Sequence, residues 1–200
     1  MKEAIRKYIL EKAKQILSKK GFKNTTMDEI AEVSDISKPT LYKYFTSKED
    51  LFVQVLIEIN SEVDKTVLGI INIEDDIFNN IITIITKTME FLIKHKAIMK
   101  MALFESREFI KQTKDRNSHI NNFIKNRQRR KKFLEKLLIK GQKEGKVRDD
   151  LSPEILSIMF LGIMKEISFE TIFLDFKTGN IEELSVNIAN IIIDGIKKRR

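Results

Sequence analysis

The stretch TTMDEIAEVSDISKPTLYKYFTSKEDLF, residues 25–52, carries the strongest local signals in this chain of 200 residues. Thr26 is followed three positions later by Glu29, which is the pattern of a capping box and predicts a helix that begins directly after the threonine. Ser34 and Asp35 should end that helix after about two turns, because both side chains compete for backbone hydrogen bonds and Asp tolerates left-handed geometry. The stretch therefore opens with a short, capped helix.

A second short helix should follow the turn. Ser37 can cap it, and Pro39 is tolerated in its first turn because the N–H groups there have no partner within the helix. Leu41 and Phe45 are four residues apart and should point inward together. The other side chains should face outward: Ser37, Lys38, Thr40, Tyr42, Lys43 and Tyr44. Hydroxyls, lysines and tyrosines on one short helix suit a surface that contacts phosphates and base edges, although an ordinary solvated helix is the alternative.

This segment resembles the helix-turn-helix of TetR-type (tetracycline-repressor-like) transcriptional regulators. The family pattern is matched by Thr26, Ile30, Ala31, Ile36, Ser37, Leu41, Tyr42, Tyr44, Phe45, Ser47, Lys48, Glu49, Leu51 and Phe52. Asp35 and Pro39 depart from it, since glycine is frequent at both positions. The resemblance covers about the first 55 residues and implies a DNA-binding site. Contacts to the DNA backbone are expected from Thr26, Tyr42, Tyr44 and Lys48, and contacts near base edges from Lys38, Pro39, Thr40 and Lys43. Ser37 completes the expected DNA-binding set.

Composition predicts an all-α protein. The chain is 42% hydrophobic and 33% charged, and its seven Gly and two Pro are too few for a turn-rich β fold. Together with this composition, the resemblance implies about nine helices: a three-helix helix-turn-helix domain over residues 1–47, then a helical effector-binding and dimerisation domain over residues 48–200. The charged amino terminus predicts no signal peptide and no apolar run is long enough to span a membrane, so a cytoplasmic protein is expected.

Positive charge is concentrated near the amino terminus. Residues 1–48 hold 11 basic and 6 acidic side chains, whereas residues 49–200 hold 26 and 23. Such an excess beside the helix-turn-helix supplies sequence-independent attraction to phosphate. A second basic run, KNRQRRKK at residues 125–132, raises the alternative of a second nucleic-acid site, but its spacing spreads the charges around a helix, which favours a solvated helix face.

Hydrophobic periodicity and capping signals place the remaining helices. They are predicted at about 2–20, 48–70, 118–142, 152–175 and 181–198, with further apolar helices from about residue 75 and a loop within residues 111–122. The last two helices are apolar over broad arcs, so each should bury a second side. The resemblance implies a homodimer closed by these two helices, which would select a palindromic operator. Candidate interface residues are Ile155, Met159, Ile163, Ile167, Leu184, Ile188, Ile191 and Ile192. Two central helices of a monomer are the alternative.

The resemblance also implies a small apolar or amphipathic effector that releases the protein from DNA. Aromatic and Met side chains suit an adaptable apolar site. Candidate effector-binding residues are Phe91, Met101, Phe104, Phe123, Met159 and Phe160, and plain core is the alternative for each of them.

The sequence gives little support for an enzyme. There is no Cys, which excludes disulfides and cysteine nucleophiles, and no glycine-rich phosphate loop. The two histidines, His95 and His119, lack metal-ligand spacing and are expected to be exposed or capping. We therefore predict no catalytic residue, no metal and no cofactor. The alternatives are a helix-turn-helix regulator without a ligand or, more remotely, a helical enzyme or scaffold.

Overall fold

A computed structural model describes residues 2–101, 116–173 and 180–198, apart from the side chains of residues 116–120, 122 and 123. The helices in chain order are α1, Lys2–Lys20; α2, Met27–Val33; α3, Lys38–Tyr42; α4, Lys48–Val63; α5, Ile77–Lys94; α6, described over residues 96–101; α7, Arg116–Lys143; α8, Pro153–Phe173; and α9, Ile181–Ile196. These described ranges contain no β-strand, and the predicted all-α class is confirmed. None of the described helices is both long and apolar enough to cross a membrane.

Two predicted helices differ from the structure in their bounds. The helix predicted over 48–70 is α-helical only to Val63 and continues as a π-helical turn, Asp64–Leu68. The helix predicted from about residue 118 begins at Arg116, and residues 111–115 of the stretch predicted to contain a loop lie outside the described residues. Polar residues such as Asn and Ser lower helix propensity only slightly, so the apolar face farther along α7 is enough to override them.

Backbone contacts divide the chain into two compact units. Unit 1 comprises Met1–Glu62 and His95–Ile124, and unit 2 comprises Val63–Lys94 and Lys125–Arg200. The two units are defined by packing, whereas the predicted domain boundary after residue 47 was drawn between two expected functions. That boundary stays a prediction.

The described core of unit 1 is built around the apolar stripe of α1. Ile9, Ala13 and Leu17 on this helix are at most 1% exposed, as the three-and-four spacing predicts. Gly21 ends the helix with a φ of 77°, a left-handed geometry that costs glycine little. The ring of Phe22 then packs against that of Phe52, with centroids 5.1 Å apart. The first turn of α4 is thereby joined to the end of α1.

In unit 2, α5 packs against α8 and α9. The end of α7 approaches the same core so closely that a Cβ added at Gly141 would lie 2.6 Å from Val147 Cγ2 and 2.7 Å from Ile77 Cδ1. The turn after α7 pairs with the end of α9, since Arg148 N donates to Ile196 O over 2.8 Å. Any side chain larger than glycine at position 141 would therefore displace its neighbours.

Candidate nucleic-acid interface

The first helix of the helix-turn-helix is fixed by the predicted capping box. Glu29 N donates to Thr26 Oγ1 over 3.2 Å, and Thr26 N donates to Glu29 Oε2 over 2.9 Å. Lys20 Nζ also donates to Glu29 Oε1 over 2.6 Å. The hydrogen bond from Lys20, followed by that from the Thr26 backbone, holds the pKa of Glu29 below its ordinary value of 4.5. The capping carboxylate is therefore ionised at neutral pH.

The turn between α2 and α3 uses left-handed geometry at Asp35, where φ is 52°. Among the described residues, no other position besides glycine has a positive φ. Asp35 N donates to Glu32 O over 3.0 Å and Ile36 N donates to Ala31 O over 3.1 Å, so the backbone polar groups of the turn are satisfied. Asp35 therefore adopts the left-handed conformation that glycine reaches without a steric penalty.

Helix α3 is capped and anchored as predicted. Thr40 N donates to Ser37 Oγ over 3.3 Å, and the two hydroxyls of Ser37 and Thr40 lie 2.8 Å apart. Leu41 and Phe45 are fully buried. The side chains of Ser37, Lys38, Pro39, Tyr42 and Lys43 are exposed, and those of Thr40 and Tyr44 are half-buried. The short helix therefore presents lysine, proline and tyrosine to solvent over a fixed apolar base.

The exposed lysines of α3 differ in their electrostatic surroundings. Lys38 Nζ lies 2.6 Å from Asp28 Oδ1, and this hydrogen bond is the main cause that raises the pKa of Lys38. Lys43 is exposed and makes no ion pair with another described residue. A phosphate would have to displace Asp28 from Lys38 but could approach Lys43 directly.

Lys48 has a role that sequence reasoning missed. Its Nζ donates to Phe22 O over 2.9 Å and to Thr25 O over 2.8 Å, and it lies 4.3 Å from the centre of the Phe22 ring. These carbonyls belong to the loop between α1 and α2, which is 23 to 26 residues away in sequence. The ammonium group holds that loop against the start of α4, so the expected contact between Lys48 and the DNA backbone stays a prediction beside this structural role. Thr26, which is also expected to contact the DNA backbone, is exposed.

The candidate effector residues occupy different surroundings. In unit 2, Phe91 and Phe160 are 5% and 6% exposed, whereas Met159 is 52% exposed. In unit 1, Met101 is half-buried. Phe104 and the side chain of Phe123 lie outside the described residues. Burial makes Phe91 and Phe160 compatible with either a cavity wall or plain core, and the exposure of Met159 agrees better with its second predicted role at an interface.

The candidate interface residues also separate by exposure. Ile155, Met159, Ile163 and Ile191 are 47%, 52%, 38% and 72% exposed, and Ile167 and Leu184 are half-buried. Ile188 and Ile192 are only 7% and 4% exposed, because the inward face of α9 packs within unit 2. On α8 and α9, three further large apolar residues are exposed that were not among the interface candidates: Ile158, Phe169 and Val186. Periodicity identified the apolar helices but did not separate the inward face from the outward one.

The expectation that His95 is exposed is wrong, although His95 does lie directly before α6, where its carbonyl accepts from Met99 N over 3.0 Å. His95 is 8% exposed, and its Nε2 lies 3.7 Å from Glu62 Oε1 within unit 1. A nearby carboxylate can compensate the burial of an imidazole, and sequence spacing does not reveal a partner 33 positions away. The side chain of His119 lies outside the described residues. The part of the chain that is described holds no cluster of three potential metal ligands.

Comparison with known proteins agrees with this geometry. Residues 9–55 match the family model described as bacterial regulatory proteins, tetR family. The chain is 34% identical over 103 residues to YvkB of Bacillus subtilis, an HTH-type transcriptional regulator, and the match covers 52% of this chain and 53% of YvkB. It is 44% identical over 48 residues to the HTH-type regulator QacR of Staphylococcus aureus, covering 24% and 26% of the two chains. The chain thus spans about half or less of these relatives' lengths.

The fold extends the likeness beyond the amino-terminal region. The structure of the fatty acid degradation regulator FadR from Bacillus halodurans superposes with a TM-score of 0.73 at 18% identity, over 97% of each chain. At that identity the likeness concerns the fold alone. The capped helix-turn-helix and the matched motif agree, and residues 9–55 form a helix-turn-helix of the tetR family of bacterial regulatory proteins.

Proposed function

We propose that this protein is a repressor that binds a palindromic operator as a homodimer and is released by a small-molecule effector. The observation that carries the DNA-binding part is the exposed face of α3, where Lys38, Pro39, Tyr42 and Lys43 stand on a base of buried side chains. A rigid scaffold with an exposed polar and aromatic face suits groove binding because phosphate contacts position the helix and base-edge contacts read the sequence.

The test begins with an operator selected from a library of random duplexes, followed by titrations of single variants. Tyr42→Ala and Lys43→Ala should weaken binding, and Tyr42→Ala should do so for every sequence because a backbone contact carries no sequence information. Thr40→Ala should instead alter sequence preference, with a change of roughly 1–3 kcal/mol at one base pair. Lys65→Ala, an exposed charge in unit 2, is the matched control. Unchanged affinity and preference in all three variants would contradict the proposal.

Dimerisation is supported by the exposed apolar side chains of α8 and α9 and by the limits of a single short reading helix. One such helix offers few base contacts, and two copies related by symmetry would read half-sites about one helical turn, roughly 34 Å, apart. The selected operator should therefore be palindromic. A selection that converges on a single asymmetric half-site would oppose this part of the proposal.

Effector release is the finer part of the proposal. Ligand binding in the body would favour a conformation with lower operator affinity, transmitted along α4, whose last residue before unit 2 is Glu62. Titration of the operator complex with a chemically diverse ligand set should identify compounds that lower its affinity. If no compound lowers the affinity, the proposal of effector release fails. The protein would then be a regulator without a ligand, acting as a constitutive repressor or an activator. A cytoplasmic location, where operator DNA is found, belongs to the same proposal.

A further inference from the structure

The most basic segment of the chain lies in unit 2 and takes no part in the helix-turn-helix. Residues 125–136, KNRQRRKKFLEK, hold seven basic side chains and one acidic one. The composition of this run predicts a solvated helix with charges spread around its axis. In the structure, part of this charge is gathered on one face of α7 instead.

One open groove is lined by four of these cations, with a glutamine and two apolar side chains. The lining residues are Ile73, Lys125, Gln128, Arg129, Lys132, Phe133 and Lys136. Positions 125, 129, 132 and 136 recur at intervals of three and four residues, which places them in one row along the helix. We call this set the α7 basic groove.

Acidic partners are absent from the α7 basic groove among the described residues, in contrast with several other lysines of unit 2. Lys131, on the adjacent face, is bound by Glu154 over 2.6 Å, Lys146 by Asp76 over 2.8 Å and Lys198 by Asp149 over 2.7 Å. The four groove cations are exposed, and no described ion pair involves any of them. Adjacent cations of the row rise by about 4.5–6 Å along the helix. This distance is below the Debye length of about 8 Å, so their mutual repulsion is only partly screened.

The α7 basic groove is also lined by two apolar side chains. Ile73 and Phe133 are half-buried and line the groove together with the charged side chains. A bound anion would therefore meet both cations and an apolar floor. This combination fits a chain of phosphates whose sugars present apolar faces, and it resembles the aromatic and basic surfaces that follow nucleic-acid backbones.

We infer that the α7 basic groove is a second, sequence-independent contact surface for the phosphodiester backbone of DNA. The row from Lys125 to Lys136 extends over about 17 Å of helix, and one DNA strand offers a phosphate about every 3.4 Å of its axis. A repeating polyanion can engage all four cations at once, whereas a single carboxylate engages one or two. This repeat is the reason that DNA fits the groove better than a small amphipathic acid does.

The experiment measures the salt dependence of binding to a fluorescent duplex of about 30 base pairs that lacks the operator. The full chain is compared with Arg129→Gln/Lys132→Gln between roughly 50 and 200 mM salt. Loss of two phosphate contacts should reduce the slope of log affinity against log salt by about 1.8, so the ratio of wild-type to variant affinity should fall roughly tenfold between the lower and the higher salt. Because both side chains are exposed, the fold should be retained, which circular dichroism checks.

Two controls separate a contact surface from net charge. Lys65→Gln/Lys94→Gln removes two exposed charges of unit 2 outside the groove and should leave the slope unchanged. Arg129→Lys/Lys132→Arg keeps the charge and should retain the wild-type slope. Equal slope changes in the groove and control variants would overturn the inference. The inference would also be overturned if the groove variant bound DNA like the wild-type protein but lost binding to dodecanoate, measured by calorimetry. The groove would then be a site for an amphipathic acid.

Discussion

The charged ammonium group of Lys48 makes hydrogen bonds within the fold. Its ammonium group donates to two backbone carbonyls, Phe22 O and Thr25 O, and lies over the Phe22 ring. Replacing it with Met keeps most of the apolar stem but leaves both carbonyls without this donor. We expect Lys48→Met to lower the free energy of unfolding by about 1.5–3 kcal/mol, the usual range for a hydrogen bond to a charged group. Thermal denaturation followed by circular dichroism measures the effect.

Lys43→Met is the matched control, because Lys43 is exposed and without an ion pair among the described residues. It should lose DNA affinity with little change in melting temperature. If Lys48→Met melts like the wild-type protein yet loses DNA binding, Lys48 acts as a phosphate contact and its internal hydrogen bonds contribute nothing measurable.

Glu29 should give the helix-turn-helix a contribution to stability that depends on pH. Its pKa is lowered in the folded protein, first by the hydrogen bond from Lys20, so ionisation favours the folded state. This contribution is present above the ordinary pKa of 4.5 and is lost as the pH falls through the lower folded value. Glu29→Gln keeps an acceptor for Thr26 N but carries no charge. Its melting temperature should lie below that of the wild-type protein at neutral pH and approach it in acid, and a difference independent of pH would refute the assignment.

At the scale of the element, the turn between α2 and α3 offers a direct test of backbone strain. Asp35 adopts a φ of 52°, a conformation that glycine reaches without a steric penalty. Asp35→Gly should therefore be neutral or stabilise unit 1 by up to about 1 kcal/mol, because lost strain is partly offset by the greater entropy of the unfolded chain. Asp35→Val should destabilise it, since a β-branched residue is disfavoured in this region. Chemical denaturation orders the three proteins, and a valine variant as stable as the glycine variant would show that the turn is unstrained.

The sequence predicted those elements whose signals lie within three or four residues. The Thr26 and Glu29 box, the Ser37 cap and the helix that begins at Pro153 were all confirmed, because a cap and its backbone partners are neighbours in the chain. Contacts between distant segments were not predictable in this way. The Lys48 hydrogen bonds and the burial of His95 depend on how helices pack, and a sequence pattern records periodicity without saying which neighbour covers each face.

The same limit applied to α7 and α9. Composition alone gave the charge of residues 125–136, but not the side of the helix on which a neighbouring segment would leave a groove. For α9, Ile188 and Ile191 were both predicted at the dimer interface, yet they are 7% and 72% exposed. Helical positions three apart differ by about 60° of rotation, which is enough to move a side chain from the core to the surface at the edge of an apolar arc.

For the whole molecule, the decisive question is what covers the outer faces of α8 and α9. Ile155, Ile158, Met159 and Ile163 recur at three- and four-residue spacing and are all at least 38% exposed, and Ile191 on α9 is 72% exposed. Contiguous exposed apolar surface usually marks an interaction site, and a symmetric pair of copies is the commonest way to bury it. We therefore expect Met159→Asp/Ile191→Asp to convert a dimer into a monomer, since each charge would have to be desolvated in the interface.

Sedimentation velocity over a range of protein concentrations measures this change. Ile70→Asp is the control, because Ile70 is 53% exposed in unit 2 but lies outside both helices. It should remain dimeric. The same preparations can be titrated with the selected operator: if dimerisation sets the pairing of half-sites, the Met159→Asp/Ile191→Asp protein should bind a half-site nearly as well as the control does but lose the added affinity for the full palindrome. A monomeric variant that still distinguishes the palindrome from the half-site would place the symmetric contact elsewhere in the protein.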